Sequence, residues 1–229
     1  AAELEHSNQE LQQFAYAISH DLQAPLRMVK SYLQLLEQRY QGRLDEKADL
    51  FIEQAVAGAS HMQEMTRALL DLSRVETQGE ALAPTDTEAL LTRTLKELAW
   101  AIRESGAKVT HDPLPTVMAD EAQLAQVFQN LIANAIKFHK ENEPPQVHIS
   151  AKRVDRAWQF SVEDNGIGIP PDQSGHLFRI FKRLHTEDEY PGTGIGLALC
   201  RRIVARHEGR IWAESELGEG ATFHFTLPA

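Results

Sequence analysis

One helical stretch decides the fold of the larger part of the chain: Gln129-Asn130-Leu131-Ile132-Ala133-Asn134-Ala135-Ile136-Lys137-Phe138-His139. Its apolar residues recur at helical spacing, yet Asn130, Asn134, Lys137 and Phe138 occupy positions i, i+4, i+7 and i+8, which share one face of a helix. Amides buried beside Leu and Ile are costly unless they meet a partner. Two interpretations stay open at this point. The polar side chains cap a core helix, or an amide oxygen binds Mg²⁺ with a lysine nearby for phosphate.

Three glycine-bearing stretches follow this helix along the chain. They are Asp164-Asn165-Gly166-Ile167-Gly168-Ile169-Pro170, Gly192-Thr193-Gly194-Ile195-Gly196-Leu197 and Gly218-Glu219-Gly220-Ala221-Thr222. Glycine lets backbone N–H groups approach phosphate oxygens closely, and the second stretch leads directly into a helical pattern, whose N-terminus favours anions. A single Gly-x-Gly is more often an ordinary turn, and the spacing excludes both the P-loop and the Gly-x-Gly-x-x-Gly dinucleotide pattern.

The residues around these stretches alternate between helical and strand-like periodicity. Helices are predicted at Thr87–Ser105, Asp120–His139 and Gly194–His207, and strands at Lys108–Thr110, Thr116–Met118, Gln146–Val154, Trp158–Glu163, Arg210–Glu214 and Thr222–Leu227. This mixture predicts an α+β or α/β two-layer domain of about 150 residues, with its helices on one face of a sheet.

The N-terminal part contains few turn-forming residues and predicts two long helices. Apolar residues recur every seven positions over Leu4–Leu36, and at spacings of three and four over Ala48–Leu72. Gly42 is predicted to end the first helix and Asp45 to cap the second. Because a lone hairpin cannot bury both apolar stripes, the pattern favours a homodimeric four-helix bundle, with packing on the rest of the chain as the alternative. Helical periodicity ends at Thr77–Pro84, where Gly and Pro predict a linker that acts as a hinge.

The first helix contains one histidine in an unusual setting, Ser19-His20-Asp21-Leu22-Gln23-Ala24-Pro25-Leu26. A proline in a helix removes one backbone hydrogen bond and frees a carbonyl, here near Asp21, so a bend is expected beside His20. Taken alone, a histidine next to an acid on a solvated helix face is usually a surface feature.

Composition and charge exclude several classes of protein. The 229 residues are 42% apolar, and 23 Lys and Arg against 33 Asp and Glu give a net charge of −10. The densest basic run, Arg201-Arg202 with Arg206, is short, so binding to nucleic acid is not expected.

The single cysteine, Cys200, lies in an apolar helical run, which predicts a small buried side chain and fits a reducing cytoplasm. No stretch approaches the roughly 18 apolar residues of a membrane span. Because the chain begins without Met, we expect a piece of a longer protein whose sensor lies upstream, with no membrane contact in this segment.

The order of these motifs resembles the histidine kinases of two-component signalling. It runs from His-Asp-x-x-x-Pro in a helical hairpin to the Asn-rich helix, Asp-x-Gly-x-Gly, Phe178-x-x-Phe181 and Gly-x-Gly-x-Gly. The run Ile18–Arg27 is similar to the bacterial phytochrome-type kinases. The resemblance implies a multi-domain α and α+β chain. Residues 1–78 would be the dimerisation and histidine-phosphotransfer hairpin, and residues 79–229 the catalytic ATP-binding domain, an α/β two-layer sandwich of the GHKL or Bergerat type.

The resemblance also implies roles for matching residues. Asn134 corresponds to the Mg²⁺ ligand of the family, and Asp164 to the carboxylate that accepts a hydrogen bond from the adenine amino group. The other residues that it places around ATP are Asn130, Lys137, Phe138, Gly166, Gly168, Phe181, Arg183, Gly192, Thr193, Gly194, Gly196, Leu197 and Thr222. The segment from about 170 to 193 corresponds to a mobile lid over the nucleotide.

The implied reaction is autophosphorylation of His20 by ATP, followed by phosphoryl transfer to an aspartate of a partner receiver domain. Asp21 would orient the imidazole and take its proton. Many relatives orient a phosphatase water with the side chain four residues after the histidine, where this chain has Ala24. Gln23 is therefore expected to replace it, because positions i and i+3 share a helix face and an amide both donates and accepts. Two other functions stay open, a GHKL-type ATPase that drives conformational cycles and a catalytically degenerate dimeric scaffold.

Overall fold

The computed structural model describes residues 2–77, 79–171, 173–182, 184, 190 and 192–229, with their side chains except those of residues 2–20 and of Glu76. The chain divides into two compact units, Ala1–Arg74 and Val75–Ala229. The functional boundary between residues 78 and 79 stays a prediction. Among the described residues, no helix combines the length and the apolar character that crossing a membrane requires.

The N-terminal unit is a helical hairpin of α1 (Ala2–Tyr40) and α2 (Glu46–Thr77), and α2 extends a few residues into the second unit. Both predicted end signals are confirmed. The turn contains Gly42, whose N–H donates to Asp49 Oδ2 at 2.9 Å, and Asp45 Oδ1 accepts from the N–H of Ala48 at 2.8 Å. Local capping chemistry therefore defines where the chain reverses.

The predicted apolar stripe of α1 is exposed in the single chain. Leu22 is 47% exposed, Val29 48%, Tyr32 64% and Leu36 43%. The side chains of the same stripe before residue 21 lie outside the described residues. Pro25 lies inside α1, which continues to Tyr40. Apolar surface of this extent on one helix face is typical of a face that another helix covers.

The second unit alternates helices with short strands. In chain order these are β1 (Ala83–Asp86), α3 (Thr87–Glu97), α4 (Ala99–Ser105), β2 (Lys108–His111), β3 (Thr116–Ala119), α5 (Glu121–Lys137), β4 (Gln146–Val154), β5 (Ala157–Asp164), α6 (Gly196–Arg206), β6 (Ile211–Glu216) and β7 (Gly220–Pro228), with one 3₁₀ turn at Ser174–His176. Asp86 and Asp120 cap α3 and α5 through their side chains.

The strands form a five-stranded sheet in the order β2-β4-β5-β7-β6, in which only β2 and β4 are parallel neighbours. Helices α5 and α6 pack on this sheet. Phe128 of α5 meets Phe160 of β5 and Phe225 of β7 edge-on, with ring centroids 5.9 and 5.6 Å apart, while Phe160 and Phe225 stack at 4.9 Å. Cys200 is fully buried, and burial raises the pKa of its thiol to about 12. The two-layer α/β prediction is confirmed.

Two predicted elements are corrected. The helix predicted over Thr87–Ser105 is divided at Leu98, which has φ −84° and ψ 0°. Hydrogen bonds continue on both sides of this residue, so apolar periodicity alone does not locate the break. The predicted linker is also shorter than Thr77–Pro84, because Thr77 ends α2 and Ala83 begins β1, which pairs with β3. A proline is tolerated in this strand because a short edge strand can lack one donor.

Candidate functional site

A cavity of about 280 Å³ lies beside α5. It is bounded by the second half of α5, the loop after β5, the start of α6 and the start of β7. The predicted site residues that line it are Asn130, Asn134, Lys137, Phe138, Asp164, Gly168, Gly192, Thr193, Gly194, Gly196 and Leu197. Motifs far apart in sequence therefore meet at one concave surface, which is the expected form of a small-molecule site.

Asp164 is the acidic group of the cavity wall. Its Oδ1 accepts from the N–H of Gly166 at 2.9 Å and from the N–H of Ala221 at 3.1 Å, which fixes the carboxyl group. Within the part of the chain that the structure describes, Oδ2 has no hydrogen-bond partner, so it is available to a donor in the cavity. Burial raises the pKa of Asp164 above its usual value, and the two backbone hydrogen bonds act in the opposite direction.

Another part of the wall is the N-terminus of α6. The N–H groups in the first turn of a helix have no intrahelical partners, and among the described residues no side chain caps α6. Gly196 and Leu197 of that turn line the cavity. A Cβ atom at Gly196 would lie 2.6 Å from Asn130 Oδ1, so a larger residue here would displace the Asn130 side chain. Glycine therefore lets α6 approach α5 without moving Asn130, and the helix N-terminus favours an anion.

Two lysines and two aromatic rings also line the cavity. Lys137 lies at the end of α5 with its Nζ 4.6 Å from the centroid of the Phe138 ring. The Tyr190 ring packs against Phe138 with centroids 4.9 Å apart. Lys182 also lines the cavity. The lining therefore combines two lysines and the α6 N-terminus, which favour an anion, with the carboxyl group of Asp164.

Some predicted site residues lie elsewhere. Thr222 is absent from the described lining, and strand alternation places its side chain on the opposite face of β7 from Ala221 and Phe223, which both line the cavity. Its role stays a prediction. Gly166 contributes a backbone N–H to Asp164 rather than a surface of the cavity. Phe181 is 46% exposed and outside the lining, and its N–H donates to Gly194 O at 3.1 Å. The predicted Arg183 lies outside the described residues.

The lining also contains residues that the motif analysis missed. They are Ile167, Ile169, Leu177, Lys182, Leu184, Tyr190, Ala221 and Phe223. Most are apolar and suited to the faces of a planar ring. Ile167 and Ile169 alternate with Gly166 and Gly168 in the sequence. This alternation is a pattern from which the two isoleucines could have been predicted to share one face.

The three predicted catalytic residues belong to the N-terminal unit. His20, Asp21 and Gln23 lie within α1. The side chain of His20 is outside the described residues, that of Asp21 is exposed and that of Gln23 is half-buried. Their roles stay predictions.

Two family models match the chain in the predicted order. Residues 10–78 match the His Kinase A (phospho-acceptor) domain, and residues 119–229 match the histidine kinase-, DNA gyrase B- and HSP90-like ATPase family. The first match includes His20, and the second includes every described residue that lines the cavity.

Several relatives match almost the whole of this chain. The chain is 58% identical over 228 residues to cyanobacterial phytochrome A of Nostoc sp. and 50% identical over 228 residues to phytochrome-like protein Cph1 of Synechocystis sp.. Both matches cover 100% of this chain but 30% of the relative. Full-length ShkA in complex with AMPPNP matches with a TM-score of 0.70 and 30% identity, over 94% of this chain and 45% of that one. This chain therefore belongs to the histidine kinases, with a phospho-acceptor domain followed by an ATP-binding domain, and is most simply described as a transmitter module similar to those of phytochromes.

Proposed function

We propose that this chain uses ATP to phosphorylate His20 and then passes the phosphoryl group to an aspartate of a receiver domain. The observation that carries the proposal is the cavity between Asp164 and the α6 N-terminus, in the same chain as a phospho-acceptor domain whose match includes His20. An acidic hydrogen-bond acceptor and an anion-favouring helix N-terminus in one cavity suit a nucleoside triphosphate.

The adenine ring is assigned to the end of the cavity at Asp164. Its amino group would donate to Asp164 Oδ2, and Ile167, Ile169 and Phe223 would contact the faces of the ring. The phosphates are assigned to the α6 N-terminus and Lys137. Asn134 would hold Mg²⁺ through its amide oxygen, and Mg²⁺ supplies charge neutralisation to the phosphates.

The transfer step needs a neutral imidazole. A histidine of ordinary pKa, about 6.5, is mostly neutral near pH 7. One ring nitrogen of His20 attacks the γ-phosphorus, the bond from that phosphorus to the bridging oxygen breaks, and ADP leaves with the electron pair. Asp21 would accept the hydrogen bond of the other ring N–H and take the proton as positive charge develops. In the second reaction, a receiver carboxylate attacks the same phosphorus and His20 leaves as imidazole.

The phospho-acceptor hairpin is proposed to act as a homodimer. Its exposed stripe on α1, which includes Leu22, Val29 and Tyr32, would form the core of a four-helix bundle with the second copy. The chain spans 30% of the phytochromes that it matches. We therefore expect a sensor region upstream in the same protein and, because ATP is the phosphoryl donor, a cytoplasmic site of action.

The proposal is tested with γ-labelled ATP and Mg²⁺. We expect label on the protein that is lost in acid and retained in alkali, because a phosphorus–nitrogen bond behaves in this way. Acid-stable label, or release of phosphate without labelled protein, would contradict the histidine assignment and favour an ATPase of another class.

A further inference from the structure

The backbone at the end of α2 and just after it forms hydrogen bonds with side chains at the start of α5 and the end of α6. The N–H of Glu80 donates to Asp120 Oδ2 at 2.7 Å, and Arg206 Nη2 donates to the carbonyl oxygen of Glu80. Nearer to α2, Gln123 Nε2 donates to the carbonyl oxygen of Val75 at 2.8 Å. Both ends of this short segment are therefore tied to the ATP-binding unit by hydrogen bonds.

Arg206 connects these contacts into one cluster. Its Nη1 donates to Asp120 Oδ2 at 3.1 Å and to Gln123 Oε1 at 2.9 Å. The side chain of Asp120 is 2% exposed and that of Arg206 is 18% exposed, so the pair is largely shielded from water. A Cβ atom at Gly79 would lie 2.3 Å from Arg206 Cζ, which shows how closely the chain passes the guanidinium. We name Asp120, Gln123 and Arg206 the linker clamp.

His207 contacts the clamp at the backbone of Asp120. Its Nε2 accepts from the N–H of Asp120 at 2.9 Å, so the proton is on Nδ1, which lies 2.7 Å from the carbonyl oxygen of Ile203. Burial lowers the pKa of His207, which keeps this neutral form. Asp120 is thereby oriented on its backbone side, while its Oδ1 caps α5 by accepting from the N–H of Gln123 at 3.1 Å.

Helix capping alone does not explain this arrangement. Capping uses Asp120 Oδ1, whereas Oδ2 serves Glu80 and Arg206. A cation in the last turn of α6 is favourable for the helix dipole without any particular partner, yet Arg206 has three acceptors, one of them the backbone of the linker. Both clamped helices also line the nucleotide cavity, α5 through Asn134 and α6 through Gly196.

We propose that Arg206 is a positioning residue for phosphoryl transfer. By closing the clamp it joins Val75 and Glu80 to the two helices that hold the nucleotide. Movement of the ATP-binding unit toward His20 then takes place on the N-terminal side of Val75, within α2, rather than over residues 79–84. The inference rests on the proposed kinase function.

The test compares Arg206→Gln with Arg201→Gln in the full chain. Arg201 lies on the exposed surface of the same helix, so its substitution is the matched control. Arg206→Gln should reduce the kcat of autophosphorylation at least about tenfold, because small displacements of reacting groups reduce rates strongly. ATP affinity should stay within about twofold of the parent in both variants, as for substitutions remote from a site. Arg206→Lys should recover part of the rate.

Gly79→Ala gives a second, milder variant, since its methyl group would displace the Arg206 guanidinium without removing any clamp side chain. Hydrogen exchange at the Glu80 amide should be slow in the parent and faster in Gly79→Ala and Arg206→Gln. An unchanged kcat in both variants would overturn the inference, as would an equal loss of kcat and ATP affinity, which would mark Arg206 as purely structural. Fast exchange of Glu80 in the parent would show that the clamp is open. A parent chain that forms no phosphohistidine would instead overturn the kinase function, and the clamp with it.

Discussion

Replacing Asp164 with Asn should weaken ATP binding and change the preferred base. Asp164 Oδ1 accepts two backbone N–H groups, at 2.9 and 3.1 Å, and the oxygen of an Asn can continue to accept both. The amide NH₂ then takes the place of Oδ2 and presents donors to the cavity. The amino group of adenine, itself a donor, loses its acceptor and meets another donor.

The size of the effect follows from that one contact. A hydrogen bond to a charged group contributes about 1.5–3 kcal/mol, which corresponds to a rise in the ATP dissociation constant of about 10- to 150-fold. Inosine triphosphate carries a 6-oxo acceptor in place of the amino group, so it should lose less affinity than ATP. The control is Glu163→Gln, because Glu163 is adjacent but exposed on the other face of β5.

Calorimetric titration with non-hydrolysable analogues measures both affinities. The pH dependence adds a second readout. Because burial raises the pKa of Asp164 above 3.8, the folded chain takes up this proton at a higher pH than the unfolded chain. Parent affinity should therefore fall, relative to the Asn variant, as the pH decreases toward the raised pKa. Unchanged ATP affinity and base preference in the variant would refute the assignment of adenine to this end.

Three further perturbations test other parts of the account. Asn134→Asp adds a negative charge beside the phosphates and should reduce nucleotide binding or turnover about tenfold or more, roughly 1.4 kcal/mol, whereas parental kinetics would remove Asn134 as the metal ligand. Residues 1–78 alone should sediment as a dimer, since the exposed stripe of α1 has no other cover, and a folded monomer at micromolar concentration would contradict the bundle. Gln23→Ala should reduce dephosphorylation of the receiver much more than autophosphorylation. A parental dephosphorylation rate in this variant would show that Gln23 has no part in the phosphatase reaction.

The parts of the fold that could be predicted are those that depend on nearby residues. Gly42 and Asp45 define the hairpin turn through contacts within a few positions, and the apolar periodicity of α5 is visible in its own sequence. β1 could not be predicted, because its four residues become a strand only by pairing with β3, more than thirty positions later. The clamp is more remote still, with Arg206 and Asp120 separated by 86 positions.

The candidate site divides in the same way. Asn130, Asn134 and Asp164 could be identified because polar groups in apolar or glycine-rich surroundings are unusual in themselves. The role of Thr222 stays a prediction, because the described lining contains Ala221 and Phe223, its neighbours in β7, and not Thr222 itself. Tyr190 could not be found by pattern, since its contact with Phe138 depends on how the intervening chain folds back.

The central claim is that the ATP bound in the cavity phosphorylates His20. Its most direct test is labelling by γ-labelled ATP in His20→Gln, with His6→Gln as the control in the same helix. We predict that His20→Gln takes up no label while its ATP affinity stays within a few-fold of the parent, and that His6→Gln is labelled like the parent. Residual acid-labile label on His20→Gln would contradict the claim.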